Sequence, residues 1–189
     1  MPMLEHLVEL DRHLFYFINH DLSNPFFDWL MPILRNARFW IPLYVIILIF
    51  CLWRYKKQGI IIIVLLALSA GFADFTSVHL GKNTFKRLRP CHDPVVSRTE
   101  VIRVPCGGMY SFPSTHASDH FAAAAFLSFV FFRKWRWIWL VAFLWAGSIC
   151  FAQVYVGVHF PFDVTAGALY GILVGYLFYL LFKKLQPAF

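Results

Sequence analysis

Charge is the scarce ingredient of this chain. Only 14% of its 189 residues are charged and acids number 10, whereas a soluble domain carries about a quarter charged residues. No stretch is rich in Gly, Ser or Pro, and no low-complexity segment appears. With no break in composition, we read a single domain over 1–189. Four cysteines do not make a secreted disulfide mini-protein. No basic start followed by an apolar run and a small-residue cleavage site opens the sequence, so the apolar spans are expected to direct insertion.

What fills the chain is apolar. Hydrophobic residues make up 60% and aromatics 20%, with 22 Phe. That excludes a disordered chain and an ordinary cytosolic enzyme. In a soluble protein the net charge of +7 would suggest a nucleic-acid partner. In a chain this apolar it points to membrane topology, because Lys and Arg collect on the cytoplasmic side. No nucleic acid is expected as a partner.

A membrane helix needs about 20 mostly apolar residues. Five stretches approach this: Asn36 to Trp53, Gly59 to Leu80, Ser114 to Phe132, Trp137 to Val158 and Phe160 to Phe182. The expected fold is all-α, an integral membrane bundle of about five transmembrane helices. Residues 1–35 differ. Leu4, Leu7, Val8, Leu14 and Ile18 recur at helical spacing opposite Glu5, Glu9 and Arg12, the pattern of a helix lying on a membrane. Asn24-Pro25 reads as the cap and first position of a second short helix.

Three segments carry cations and no acids: Arg54, Lys56 and Lys57; Arg133, Lys134 and Arg136; Lys183 and Lys184. Alternating spans put all three on one side, which the positive-inside rule makes cytoplasmic. Trp135, Trp137 and Trp139 fit an aromatic belt there. The N-terminus, segment 81–113 and the turn at His159 then face out. Gly167, Gly171 and Gly175 form a repeated GxxxG, read as close helix packing. Cys91 and Cys106 share the outer segment, and spacing alone leaves open whether they form a disulfide. Cys51 and Cys150 read as packing residues.

The outer side gathers three polar clusters: Lys82 to Pro90 (KNTFKRLRP), Pro113 to His116 (PSTH), and Val154 to Asp163, which ends in the run His159, Phe160, Pro161, Phe162, Asp163. Each has a structural explanation. The basic run could anchor a span to headgroups, Ser114 or Thr115 could be a helix N-cap, and His159 with Asp163 could be a helix-surface pair. Together at one membrane depth they point to function. The chemistry they suit is phosphoryl transfer. Lys82 and Arg89 offer cations for phosphate oxygens, and Ser114 a hydroxyl at a helix N-terminus. Asp163 can orient His159 as nucleophile, and His116 can act as general acid. No metal or cofactor is required if cations and amides carry the transition-state charge.

These runs resemble the three motifs of the type 2 phosphatidic acid phosphatase superfamily, KxxxxxxRP, PSGH and SRxxxxxHxxxD, over roughly residues 74–170. The resemblance implies a bacterial inner-membrane enzyme with an outward-facing site and a lipid phosphate or diphosphate as substrate. His159 would form a phosphohistidine, Asp163 orient it and His116 protonate the leaving group. Lys82, Arg89 and Ser114 would bind phosphate, joined by Thr115 and Gln153 at their motif positions. Two departures stand out. Thr115 replaces a Gly, and Ala152-Gln153 replaces Ser-Arg, so a phosphate-binding cation is missing; Lys86 or Arg87 could replace it. The short loops resemble undecaprenyl diphosphate phosphatases, and a diphosphate would use the crowded Lys82, Lys86, Arg87 and Arg89, so undecaprenyl diphosphate is the expected substrate. Lipid A 1-phosphate and phosphatidylglycerol phosphate stay open. So do a phosphotransferase, a zinc hydrolase built on His116, Asp119 and His120, and a non-catalytic lipid-binding protein. Asp74 and His79, near the outer end of the second span, take no assigned role.

Overall fold

The computed structural model describes residues 2–189; the side chains of Pro2 and of Leu4, one of the apolar positions named above, lie outside the described set. Among the described residues there are helices and no strands. They are α1 (Pro2–Tyr16), α2 (Pro25–Leu34), α3 (Ile41–Thr76), the single turn α4 (Asn83–Phe85), α5 (Thr115–Phe131), α6 (Ile138–Tyr155) and α7 (Pro161–Leu185).

α3 is two apolar rods. At Lys56 the backbone leaves the helical region (φ 50°, ψ −119°), and the chain folds back so that Cys51 packs with Ile62 and Leu65. Gly59 lies against the Cys51 carbonyl, where a Cβ would collide. With α5, α6 and α7 this gives five rods in the expected order. The first begins at Ile41 rather than Asn36, after a 3-10 turn over Ala37–Trp40. Pro42 falls in the first turn, where its missing N–H costs no helix bond. Segments Ala37–Phe85, Ile138–Tyr155 and Pro161–Leu185 are each long and apolar enough to cross a membrane.

α5 is the central rod, with α3, α6 and α7 packed around it. Ala117, Ala122, Ala124 and Ala125 are wholly buried, and such small side chains let neighbouring backbones approach. Gly167, Gly171 and Gly175 of α7 lie against the carbonyls of Ser114, Ser118 and Ala122, leaving no room for a Cβ. The close-packing reading of the GxxxG repeat therefore holds.

The three basic segments meet at one end of the bundle. There Tyr55 packs on Phe131 and Phe189, Trp135 stacks on Phe131, and Lys134 Nζ sits 3.2 Å from the Phe189 ring centre. The three polar clusters lie at the opposite end, where α5 and α7 begin and α6 finishes.

α1 and α2 form as expected, with Asn24 Oδ1 accepting from Phe27 N at 2.9 Å to cap α2. They do more than lie alongside the bundle: Asp11, Phe15, Asn19 and Met31 are buried. Segment 81–113 closes over them. Arg103 donates to the carbonyls of Asn19 (2.9 Å) and Tyr155 (2.8 Å) and to Asp28 (2.5 Å), with its guanidinium over the Tyr155 ring. Cys91 and Cys106 form a disulfide across the segment, their Cα atoms 6.2 Å apart.

Candidate active site

His159 occupies the turn between α6 and α7 and is 1% exposed. The turn depends on Gly157, whose φ of 91° favours glycine. His159 Nδ1 lies 3.6 Å from Asp163 Oδ2, slightly longer than a direct hydrogen bond, and has no other partner. Its Nε2 lies 3.4 Å from Arg89 Nη1. A guanidinium only donates, so Nε2 is the acceptor and these partners assign the proton to Nδ1. Burial pulls the imidazole down to about 4, against the opposing pull of Asp163.

Asp163 is the third residue of α7 and wholly buried. Its Oδ2 accepts from Phe160 N at 2.9 Å, as a capping-box carboxylate does. Its Oδ1 accepts from Arg87 Nη1 at 2.9 Å. Arg87 Nη2 donates to Asp11 Oδ2 at 2.5 Å, and Asp11 Oδ1 accepts from Phe162 N at 2.9 Å. The expectation that Arg87 or Lys86 replaces the missing motif arginine is thereby overturned. Arg87 is held between two carboxylates, and Lys86 is exposed on a left-handed turn (φ 47°).

Ser114 is the N-cap residue of α5, yet its hydroxyl makes no capping bond. Its N–H donates to the Asp163 carbonyl at 3.0 Å, joining the second and third motifs directly. Ser114 Oγ, Thr115 Oγ1, Arg89 Nε and both amide atoms of Gln153 are buried without a partner in the chain. Unsatisfied groups of this kind call for an explanation, and a ligand is one. Lys82 ends the π-helical stretch Ser77–Lys82 and is half-buried. It stands close enough for its charge to act on His159, as does Arg89, and His159 in turn acts on His116. All eight residues expected from the motifs thus lie at one end of the bundle.

Asp11 and Arg35 are the two the sequence did not reveal. Arg35 is the C-cap of α2, and its Nε is buried without a partner. Its charge reaches both Arg89 and His116, and burial together with Arg35 holds the Arg89 guanidinium below its usual range. In the sequence both residues look like the polar face of surface helices, and no spacing ties them to the motifs.

The alternative built on His116, Asp119 and His120 does not form a ligand set. His120 Nδ1 faces Asp119 Oδ1 (2.5 Å) and the His116 carbonyl (2.8 Å), and Nε2 faces Tyr44 Oη (3.2 Å). Asp119 and His120 instead edge an apolar cavity of 390 Å³ lined by Tyr44, Ile47, Leu66, Leu127 and Trp145. Asp74 and His79 do not pair: both are exposed, and His79 stacks on Phe75 with its Nδ1 2.9 Å from that residue's carbonyl.

A histidine held between a carboxylate and a guanidinium, on a bundle this apolar, defines a class: membrane-embedded lipid phosphatases. Residues 58–187 match the PAP2 superfamily, and the chain belongs to it. It is 33% identical to a lipid A 4'-phosphatase of Bacteroides thetaiotaomicron, over 97% of this chain and 81% of that protein. It is 30% identical to an undecaprenyl-diphosphatase of Sulfolobus acidocaldarius, over 73% of this chain and 61% of that one. Among solved structures, the phosphatidylglycerolphosphate phosphatase of Bacillus subtilis, a transmembrane PAP2-type enzyme, superposes with a TM-score of 0.76 at 22% identity, covering 97% of this chain and 90% of that one. That likeness is one of fold.

Proposed function

We propose that this lipid phosphatase removes a phosphate monoester from a saccharolipid of the lipid A type, at the outer face of the cytoplasmic membrane, through a phosphohistidine on His159. The observation that carries the mechanism is the placement of His159, with Nε2 toward Arg89 and Nδ1 toward Asp163. Nε2 attacks phosphorus while the bond from phosphorus to the lipid oxygen breaks, and His116 gives that oxygen its proton. Water then attacks the phosphohistidine, returning a proton to His116 and releasing inorganic phosphate. Lys82, Arg89 and the Ser114 hydroxyl hold the phosphate oxygens, with Thr115 and Gln153 beside them.

Arg35 supplies the charge that Gln153 lacks. Of the four crowded cations a diphosphate would use, two face elsewhere: Arg87 is paired with Asp11 and Asp163, and Lys86 is exposed. A single phosphate suits the cations that remain. The match with the Bacteroides thetaiotaomicron enzyme along nearly the whole chain favours the same headgroup. The apolar cavity beside His120 gives an acyl chain a route from the membrane.

The test is phosphate release from purified lipid A, undecaprenyl diphosphate and phosphatidylglycerol phosphate, by the parent and by His159→Ala. We expect lipid A to rank first and His159→Ala to lose activity by at least about 10³-fold, as expected when a nucleophile acting in a unit is removed. Release that persists in His159→Ala sinks the mechanism, and a different ranking sinks the substrate assignment.

A further inference from the structure

We propose that the N-terminal helix belongs to the catalytic machinery: Asp11, acting through Arg87, is a positioning residue for the Asp163–His159 pair. This rests on the histidine mechanism above. Asp11 lies on a helix whose sequence reads as a surface element, yet its side chain is wholly buried. A carboxylate in such a place is costly unless each oxygen is paired. Both are. One accepts from Arg87 Nη2 and the other from Phe162 N, one residue before Asp163.

The anchoring of α1 does not explain this arrangement. Phe15 packs on Phe160 with ring centres 5.4 Å apart, and Arg12 pairs with Asp93 at 2.9 Å. These contacts hold the helix without a buried charge. What Asp11 controls is the guanidinium. The planar fork of an arginine readily grips one carboxylate with two parallel bonds. Left alone with Asp163, Arg87 would take both of its oxygens. With Nη2 committed to Asp11, Arg87 touches Oδ1 of Asp163 only. Oδ2 is then kept for Phe160 N and for the side of the ring where His159 carries its proton. The Phe160 ring, 4.3 Å from the guanidinium, fixes its plane.

The experiment compares kcat and KM for the parent, Asp11→Asn, Asp11→Glu, Arg12→Ala and His159→Ala, all as full-length protein in the same detergent and matched for folded protein. Asp11→Asn should lower kcat about 10-fold, the scale of a small misplacement of a reacting group, with KM within twofold because the phosphate cations are untouched. Asp11→Glu should recover part of kcat. Arg12→Ala, which cuts only the neighbouring tether, should keep the parental kcat. A kcat for Asp11→Asn within twofold of the parent overturns the proposal. So do equal losses in Asp11→Asn and Arg12→Ala, which would make docking of α1 the whole effect. Turnover surviving in His159→Ala is a separate result: it overturns the histidine mechanism, and this inference with it.

Discussion

The neutral amide of Gln153 is where the chain departs most from its family, and where the structure offers a replacement. Arg35, at the end of α2, stands near enough for its charge to act on Arg89 and His116, so if it stands in for the missing cation, as proposed, the two positions should trade. Arg35→Gln should lower kcat/KM by about 10-fold, the low end of what a charge-assisted hydrogen bond contributes. Adding Gln153→Arg to that variant should restore most of the loss. An Arg35→Gln enzyme as active as the parent would remove Arg35 from the site. The burial of His159 has a consequence for pH. Its folded value of about 4 lies below the ordinary 6.5, so the ring stays neutral and nucleophilic well into acid. The kcat/KM profile should show no loss from this group between pH 7 and 5. Stability runs the other way. Between 6.5 and 4 the unfolded chain takes up a proton that the folded ring refuses, so stability falls as pH falls through that window. That His159, His116, Asp163, Lys82, Arg89 and Ser114 would gather at one end of the bundle was legible from their spacing and the alternation of the spans. Their partners were not. Asp11 and Arg35 meet the site only after α1 and α2 dock, and nothing local in the sequence encodes docking.

Among the elements, segment 81–113 does the most with the least regular structure. Arg89 N donates to Met109 O at 3.1 Å and Ser111 N to Arg87 O at 2.8 Å, so both arginines are held by the far side of the same segment. The disulfide closes that fold over a separation of 15 residues. Closing a loop of this length is worth about 3 kcal/mol in the chain-entropy account. Cys91→Ser should therefore lower the Tm in detergent by about 6–12 °C and raise KM as Arg89 loses its backing. An unchanged Tm would mean the other contacts suffice. From sequence, the rods of this bundle were readable by composition, and the hairpin at Lys56 by its cluster of charge. The loop was not, since its order comes from Arg103, Asn19 and Tyr155, residues far apart in the chain that meet only in the fold.

For the whole molecule, the two ends of the bundle differ in kind. One holds eight cations in acid-free segments and the other holds the site. This polarity supports an outward-facing site and predicts a labelling pattern. A membrane-impermeant maleimide should label Met109→Cys in intact cells and Trp137→Cys only after permeabilisation. Both positions are exposed, at 56% and 73%, and the native Cys51 and Cys150 are buried. The reverse pattern would invert the topology.

The glycine rail of α7 carries one more implication. Its three glycines are spaced every four residues and meet α5 at carbonyls spaced the same way. A periodic seam of this kind has more than one comfortable setting: sliding α7 by four residues, about 6 Å along the axis, would again seat glycine on carbonyl. Such a slide would carry Asp163 and His159 away from Ser114 while leaving most of the seam intact. What breaks the degeneracy is not the rail but its non-repeating contacts: the bond from Ser114 N to Asp163 O at one end and the aromatic pairs Phe126–Phe182 and Phe129–Tyr176 further along. The contact that joins the second and third motifs is therefore also part of the stop that tells two helices where to halt.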